Sequence, residues 1–157
     1  MPIDQIMMLQ KQGRLLEERL SKTLDSGNKL YQLRNIIDWN TLEERAMSNI
    51  DIKRFGRNRK SNRVMLGLMM LQAMCNGSDS FTESEIVENV YWQYFCGYEF
   101  WEKDLKISET SIRRFRHILG EAGANEIMKE LMRVGIKIGM LKKKKTWNRQ
   151  SLILLFK

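Results

Sequence analysis

From Val64 to Cys75 the chain reads Val64-Met65-Leu66-Gly67-Leu68-Met69-Met70-Leu71-Gln72-Ala73-Met74-Cys75, almost wholly apolar. A helix that is apolar all round is buried all round, so this stretch has to be the central helix of whatever core forms. Directly before it, Lys53 to Arg63 holds six cations (Lys53, Arg54, Arg57, Arg59, Lys60 and Arg63) and no acid. A cationic arm therefore feeds straight into the core helix. That attachment holds it near the protein surface, within reach of an anionic polymer.

Around this centre the chain is organised as helices. Ile6, Leu9, Gly13, Leu16 and Leu20 are spaced four-three alternately, predicting a helix over 3–24. Two readings fit it, a short dimerising coiled coil and a helix laid on its own domain. Fewer than three heptads and a glycine in the seam favour the second. Asp25-Ser26-Gly27-Asn28 is a turn cluster that ends it. A short apolar segment from Leu30 to Ile37 follows. Thr41-Leu42-Glu43-Glu44 and Thr82-Glu83-Ser84-Glu85 match capping boxes and predict helix starts there. Asn76-Gly77-Ser78-Asp79 closes the core helix. Tyr91 to Gly97 is the aromatic centre, read as core and corner packing and not as a base-stacking platform, because its rings are consecutive and its surroundings acidic. Residues 98–107 read as a loop. No stretch alternates over the length that a half-buried strand needs. The expected class is all-α: a compact multi-helix domain with a helix-turn-helix-like part, an N-terminal helix before it and an irregular C-terminal tail after it. The divisions fall at 1–29, 30–141 and 142–157.

Charge narrows the partner. The net charge of +8 is concentrated in blocks: −1 over 1–52, +6 over 53–65, −5 over 66–107, +2 over 108–120, zero over 121–141 and +6 over 142–157. Blocks of one sign point to an anionic partner, nucleic acid first and an acidic membrane surface second. The longest apolar run is about a dozen residues, short of the roughly 20 that span a bilayer, and Met1-Pro2-Ile3-Asp4 does not begin a signal peptide. Two distant cysteines, Cys75 and Cys96, and one histidine, His117, are too few for a structural zinc site. They read as reduced, buried thiols of a cytoplasmic protein. No metal, cofactor or membrane partner is expected of this stretch, and His117 has no nucleophile to activate.

Ser108 is a good N-cap for a helix over 109–119. On a wheel Ile112, Phe115 and Leu119 share one face, with Thr110, Arg113, Arg114 and His117 opposite and Arg116 at the flank. Apolar anchors inward and guanidiniums outward near the amino-terminal half are how a DNA-reading helix is built. The competing reading is an ordinary solvated cationic face. The absence of acidic residues on the outward face favours DNA. Gly120-Glu121-Ala122-Gly123 breaks this helix, and Ile127, Leu131, Val134, Ile138 and Leu141 mark the last one.

These marks, in order, resemble the amino-terminal domain of bacterial insertion-sequence transposases, in the DDE group typified by insertion sequence five. They are Leu33-Arg34-Asn35-Ile36-Ile37-Asp38-Trp39, Phe55-Gly56-Arg57, Leu71-Gln72, Ser84-Glu85-Ile86-Val87-Glu88, Tyr91-Trp92-Gln93-Tyr94-Phe95-Cys96-Gly97, Ser111-Ile112-Arg113-Arg114-Phe115-Arg116 and Leu119-Gly120-Glu121. Asn58 and Lys106 stand where the family usually has proline. The resemblance implies a helical domain that binds the element's terminal inverted repeats in double-stranded DNA. In the family it precedes an RNase-H-like domain whose Asp, Asp and Glu hold divalent metal. Here the chain is expected to stop before that domain, so no catalytic activity is expected of it.

The tail carries a further expectation. Relatives follow the basic run with a segment like D-L-E-Q-A-I-I-D-T-T-V-Q, and one DNA string encoding it, read one base later, gives every residue from Thr146 to Lys157. A slip in the A-rich codons of Lys142–Lys145 makes 146–157 a frameshift product. The leading expectation is thus a DNA-binding, truncated transposase domain. Lys53, Arg54, Arg57, Arg59, Lys60 and Arg63 would neutralise phosphates, and Arg113, Arg114, Thr110, His117 and Arg116 would lie against DNA. The second reading is an interaction fragment that self-associates or pairs with full-length transposase and inhibits it. A relic without a role is the third.

Overall fold

The computed structural model describes residues 18–51, 53 and 60–139, and these form seven helices and no strand. In chain order they are α1 (Leu20–Thr23), α2 (Lys29–Ile36), α3 (Trp39–Met47), α4 (Asn62–Cys75), α5 (Asp79–Glu88), α6 (Val90–Cys96) and α7 (Glu109–Lys137). None of them is long and apolar enough to cross a membrane.

The centre is α4, as its composition requires. Every residue from Met65 to Gln72 is buried, and Leu66, Leu68, Met70 and Leu71 are fully so. Burial of each such side chain is worth about 1.5–3 kcal/mol. The remaining helices are arranged around α4, with α3, α5, α6 and α7 all in contact with it. Gly67 permits a close approach of α6, because a Cβ there would lie 3.0 Å from the Cα of Cys96. Asn76 ends α4 in the left-handed conformation, φ 51°, and its N–H donates to the Gln72 carbonyl.

Helix starts follow the local side chains, though not always those that the four-residue patterns select. Asn28 caps α2 by accepting from the Leu30 N–H. The predicted box at Thr41 is displaced by one turn. Asp38 caps α3, accepting from the Thr41 N–H at 3.1 Å, while the Thr41 hydroxyl donates to the other Asp38 oxygen at 2.8 Å. The box at Thr82 is displaced likewise. Ser78 caps α5, and the Thr82 hydroxyl donates back to the Ser78 carbonyl at 2.8 Å inside the first turn. Aspartate and serine outrank threonine as caps, and the earlier residue wins in both places. Ser108 caps α7 as expected, in a reciprocal box with Ser111.

The predicted helix over 3–24 falls largely on residues outside those described. Its end is the single turn α1, and it does not run on from Arg19, which is extended at ψ 138°. The Leu20 N–H donates instead to the Glu99 carbonyl, 2.8 Å away, which pins α1 to the loop after α6. That loop, residues 97–108, is held by Gln93. Fully buried in α6, Gln93 donates to the carbonyls of Ile86 and Glu102 and accepts from the Glu102 N–H, at 2.9–3.0 Å. The connection is longer than the three or four residues that join a helix-turn-helix pair. The aromatic centre packs inward, with Trp92, Tyr94 and Phe95 buried. Cys96 is buried with them, and burial pushes its thiol up to about 12. Cys75 differs from expectation. It is exposed, at the last position of α4.

Replacement of a core leucine tests the centrality of α4. Leu68→Ala should lower the unfolding free energy by about 2–5 kcal/mol. At the exposed Glu44 of α3, Glu44→Ala should change it by less than about 0.5 kcal/mol. Urea titration followed by circular dichroism measures both.

Candidate nucleic-acid interface

The cationic face of α7 rests on three anchors. Ile112, Phe115 and Leu119 are buried against the core, which turns Thr110, Arg113, Arg114 and His117 outward, all exposed. These four stand at i, i+3, i+4 and i+7, one stripe along the helix. Gly120 interrupts the helix just beyond, at φ 67° and ψ −173°, so the stripe lies on a short, separate segment over 109–119. Gly123 then brings the second segment onto α3, since a Cβ there would sit 2.9 Å from the Ala46 carbonyl oxygen. The N-terminal end of the segment is tied to α5, because the Glu109 N–H donates to Glu83 Oε2 at 2.8 Å.

The outward face is not without acids, and this corrects the expectation from the wheel. Asp79, the first residue of α5, reaches across to it. Its carboxylate pairs with Arg116 through both oxygens and lies 3.9 Å from Arg113 Nε. Gln72 of α4 completes the group, donating to Asp79 Oδ1 at 2.8 Å and accepting from Arg116 Nη2 at 2.8 Å. Arg113 also lies 3.8 Å from Glu109. The Asp79 side chain is 16% exposed and that of Arg113 is 67% exposed. Hydrogen bonding from Arg116 holds the Asp79 carboxyl below its ordinary value, with Gln72 and the charges of Arg116 and Arg113 acting the same way. Arg116 is thus engaged with the protein and still exposed, beside the exposed stripe of Thr110, Arg113, Arg114 and His117.

Arg63 is a second cation drawn inward. Its guanidinium carbon lies 3.1 Å from the centroid of the Trp39 ring, a cation–π contact between α4 and α3. Nη2 donates to the Phe95 carbonyl of α6 at 2.6 Å, and Nη1 is buried without a hydrogen-bond partner. Gly97, at φ 104°, leaves the room this needs, since a Cβ there would stand 3.2 Å from Arg63 Cγ. Burial pulls the Arg63 pKa down to about 9. The position sits poorly with the phosphate role that its place in the basic run predicts. Of the other cations in that run, Lys53 is exposed and Lys60 half-buried, while Arg54, Arg57 and Arg59 lie outside the described residues.

The stripe offers hydrogen-bond donors in the main, which suits an acceptor-rich, anionic ligand. Among the described residues no three His, Cys, Asp or Glu side chains are grouped so as to hold a metal ion. Asp79 escaped the sequence reading because it looked like part of a turn. The available signal was Gln72, an amide inside an otherwise buried apolar helix, which needs a polar partner brought to it.

Because folding lowers the Asp79 pKa, its contribution to stability is present above the unfolded value of about 3.9 and is lost as pH falls through the folded value. The stability difference between the wild type and Asp79→Asn should therefore be largest above about pH 5 and shrink as pH falls through the lowered folded value. Urea unfolding across that range gives the comparison. A difference independent of pH would mean that the charge of Asp79 does not matter to folding.

A family model described as Transposase domain (DUF772) matches residues 18–118, from just before α1 to the end of the exposed stripe. A curated relative, "Uncharacterized protein ORF8 in nfe locus" from Rhizobium meliloti, is 29% identical over 125 residues, covering 80% of this chain and 59% of that relative. The chain thus spans less than two thirds of the relative's length. No solved structure matches it. The family match extends over more than half of the sequence, and the chain belongs to the transposase domain (DUF772) family.

Proposed function

We propose that this chain is a DNA-binding domain that recognises the terminal inverted repeats of an insertion-sequence element of the insertion-sequence-five type. The 109–119 segment of α7 would enter the major groove, with Arg113 and Arg114 directed at base edges and Thr110 and His117 flanking them. Guanidiniums suit this task because their paired N–H groups match the two acceptors of guanine. The basic run would supply affinity by neutralising phosphates, through Lys53, Arg54, Arg57, Arg59 and Lys60, while Arg63 acts from within the protein and Arg116, held by Asp79 but still exposed, stands beside the stripe. The chain would bind and not cut. In this reading metal-dependent strand chemistry would be the work of a DDE catalytic domain and not of the helices described here.

The observation that carries the reading is the exposed stripe of Thr110, Arg113, Arg114 and His117 on a helix anchored by three buried apolar residues, inside the part of the chain matched by the transposase family. Support from charge is independent of it. The run from Lys53 to Arg63 has six cations and no acid, and it opens directly into the buried helix α4.

Fluorescence anisotropy on labelled duplexes tests the two roles separately. If Lys53, Arg54, Arg57, Arg59 and Lys60 each engage a phosphate, log K should fall with log salt at a slope of about −4.5. Replacing Arg113 and Arg114 together by alanine should reduce the preference for the terminal repeat over random duplex by about tenfold or more, since each good bidentate base contact is worth about 1–3 kcal/mol. The salt slope should change by at most about 2, the two cations removed. Equal wild-type affinity for the repeat and for random duplex would overturn the sequence-reading role of α7.

A further inference from the structure

We infer that Asp79 is a specificity-determining residue of the α7 face: it orients the guanidiniums of Arg113 and Arg116 and repels phosphate, so that the face discriminates between sequences. This inference rests on the DNA-reading function proposed above.

The geometry sets Asp79 apart from an incidental surface acid. Its carboxylate is fixed from below by Gln72, which belongs to the most deeply buried helix of the fold and donates to Oδ1 at 2.8 Å. With that support it accepts from both terminal nitrogens of Arg116. A carboxylate that engages both prongs of a guanidinium fixes its plane as well as its position. Arg116 is held a third time through Gln72 Oε1. Gln72 of α4 and Asp79 of α5 thus converge on one guanidinium of α7, 44 and 37 residues on, whose side chain is still 45% exposed.

Arg113 is guided more loosely. Its Nε edge faces Asp79 at 3.9 Å and its Nη2 faces Glu109 at 3.8 Å, both beyond hydrogen-bonding distance. The side chain is biased toward one orientation and remains able to bind. An arginine without such guidance gives up rotamer freedom on binding and pairs equally well with any phosphate. Asp79 acts on both counts. Its fixed charge, close to two guanidiniums, opposes the approach of a phosphate at every sequence alike. Its hydrogen bonds prepare the guanidiniums for the one arrangement of base-edge acceptors that fits them. Removing the charge should therefore raise binding to random duplex while lowering the advantage of the correct sequence.

The test compares the intact chain with Asp79→Asn and Asp79→Glu, each titrated with the terminal repeat and with a random duplex of equal length at one salt concentration. Asp79→Asn keeps the size of the side chain. It should bind random duplex about as tightly as the wild type or up to tenfold more tightly, and its preference for the repeat should fall about tenfold. Asp79→Glu restores the charge on a longer arm. It should return random-duplex binding to the wild-type level and recover part of the preference. A parallel loss of both affinities in Asp79→Asn, or loss of the fold with no partial recovery of preference in Asp79→Glu, would reduce Asp79 to a structural residue and overturn the inference. An unchanged preference in Asp79→Asn would overturn it as well, while leaving the DNA-reading function intact. A wild type that does not prefer the repeat would overturn both.

Discussion

The arrangement of this domain depends on α4 being buried on every side. A helix in contact with protein all round cannot leave polar groups to water along its length, so polar contacts gather toward its two ends. Arg63, near the start, rests on Trp39 and donates to Phe95, which fixes α3 and α6. Gln72, near the finish, holds Asp79 and Arg116, which fixes α5 and α7. The apolar middle gives the stability and the two polar ends give the register. The exposed stripe of α7 inherits its position from that second end.

Much of this was legible in the sequence. The all-helical class, the central position of α4, the cap at Ser108 and the break at Gly120 follow from patterns that are local and chemically strong. The inward set Ile112, Phe115 and Leu119 follows from helical periodicity alone. Helix starts at α3 and α5 were misplaced by one turn, because a four-residue box says nothing about a better cap just upstream. The contacts made by Arg63 and Arg116 were missed for a different reason. Their partners are 32 residues away for Phe95, 37 for Asp79 and 44 for Gln72, and no local rule reaches that far. Gln93, which staples the long loop to α6, was invisible on the same ground.

The corrections change the balance between the two basic regions. With Arg63 drawn into the core and Arg116 clamped by an acid, fewer cations are available to simple phosphate neutralisation than a count of charges indicates. What is left among the described residues is a helical stripe whose flank carries a fixed carboxylate. An undifferentiated positive patch gives affinity without preference. A stripe with an acid built into its support is suited to preference.

The central claim is that the 109–119 segment of α7 is the surface that meets DNA. Amide chemical-shift mapping of the intact chain titrated with terminal-repeat duplex tests it most directly. The account predicts that the largest changes fall on residues 110–117, with a second group in the basic run and little change over the outer turns of α2. Changes concentrated elsewhere, with 110–117 unmoved at saturation, would contradict it.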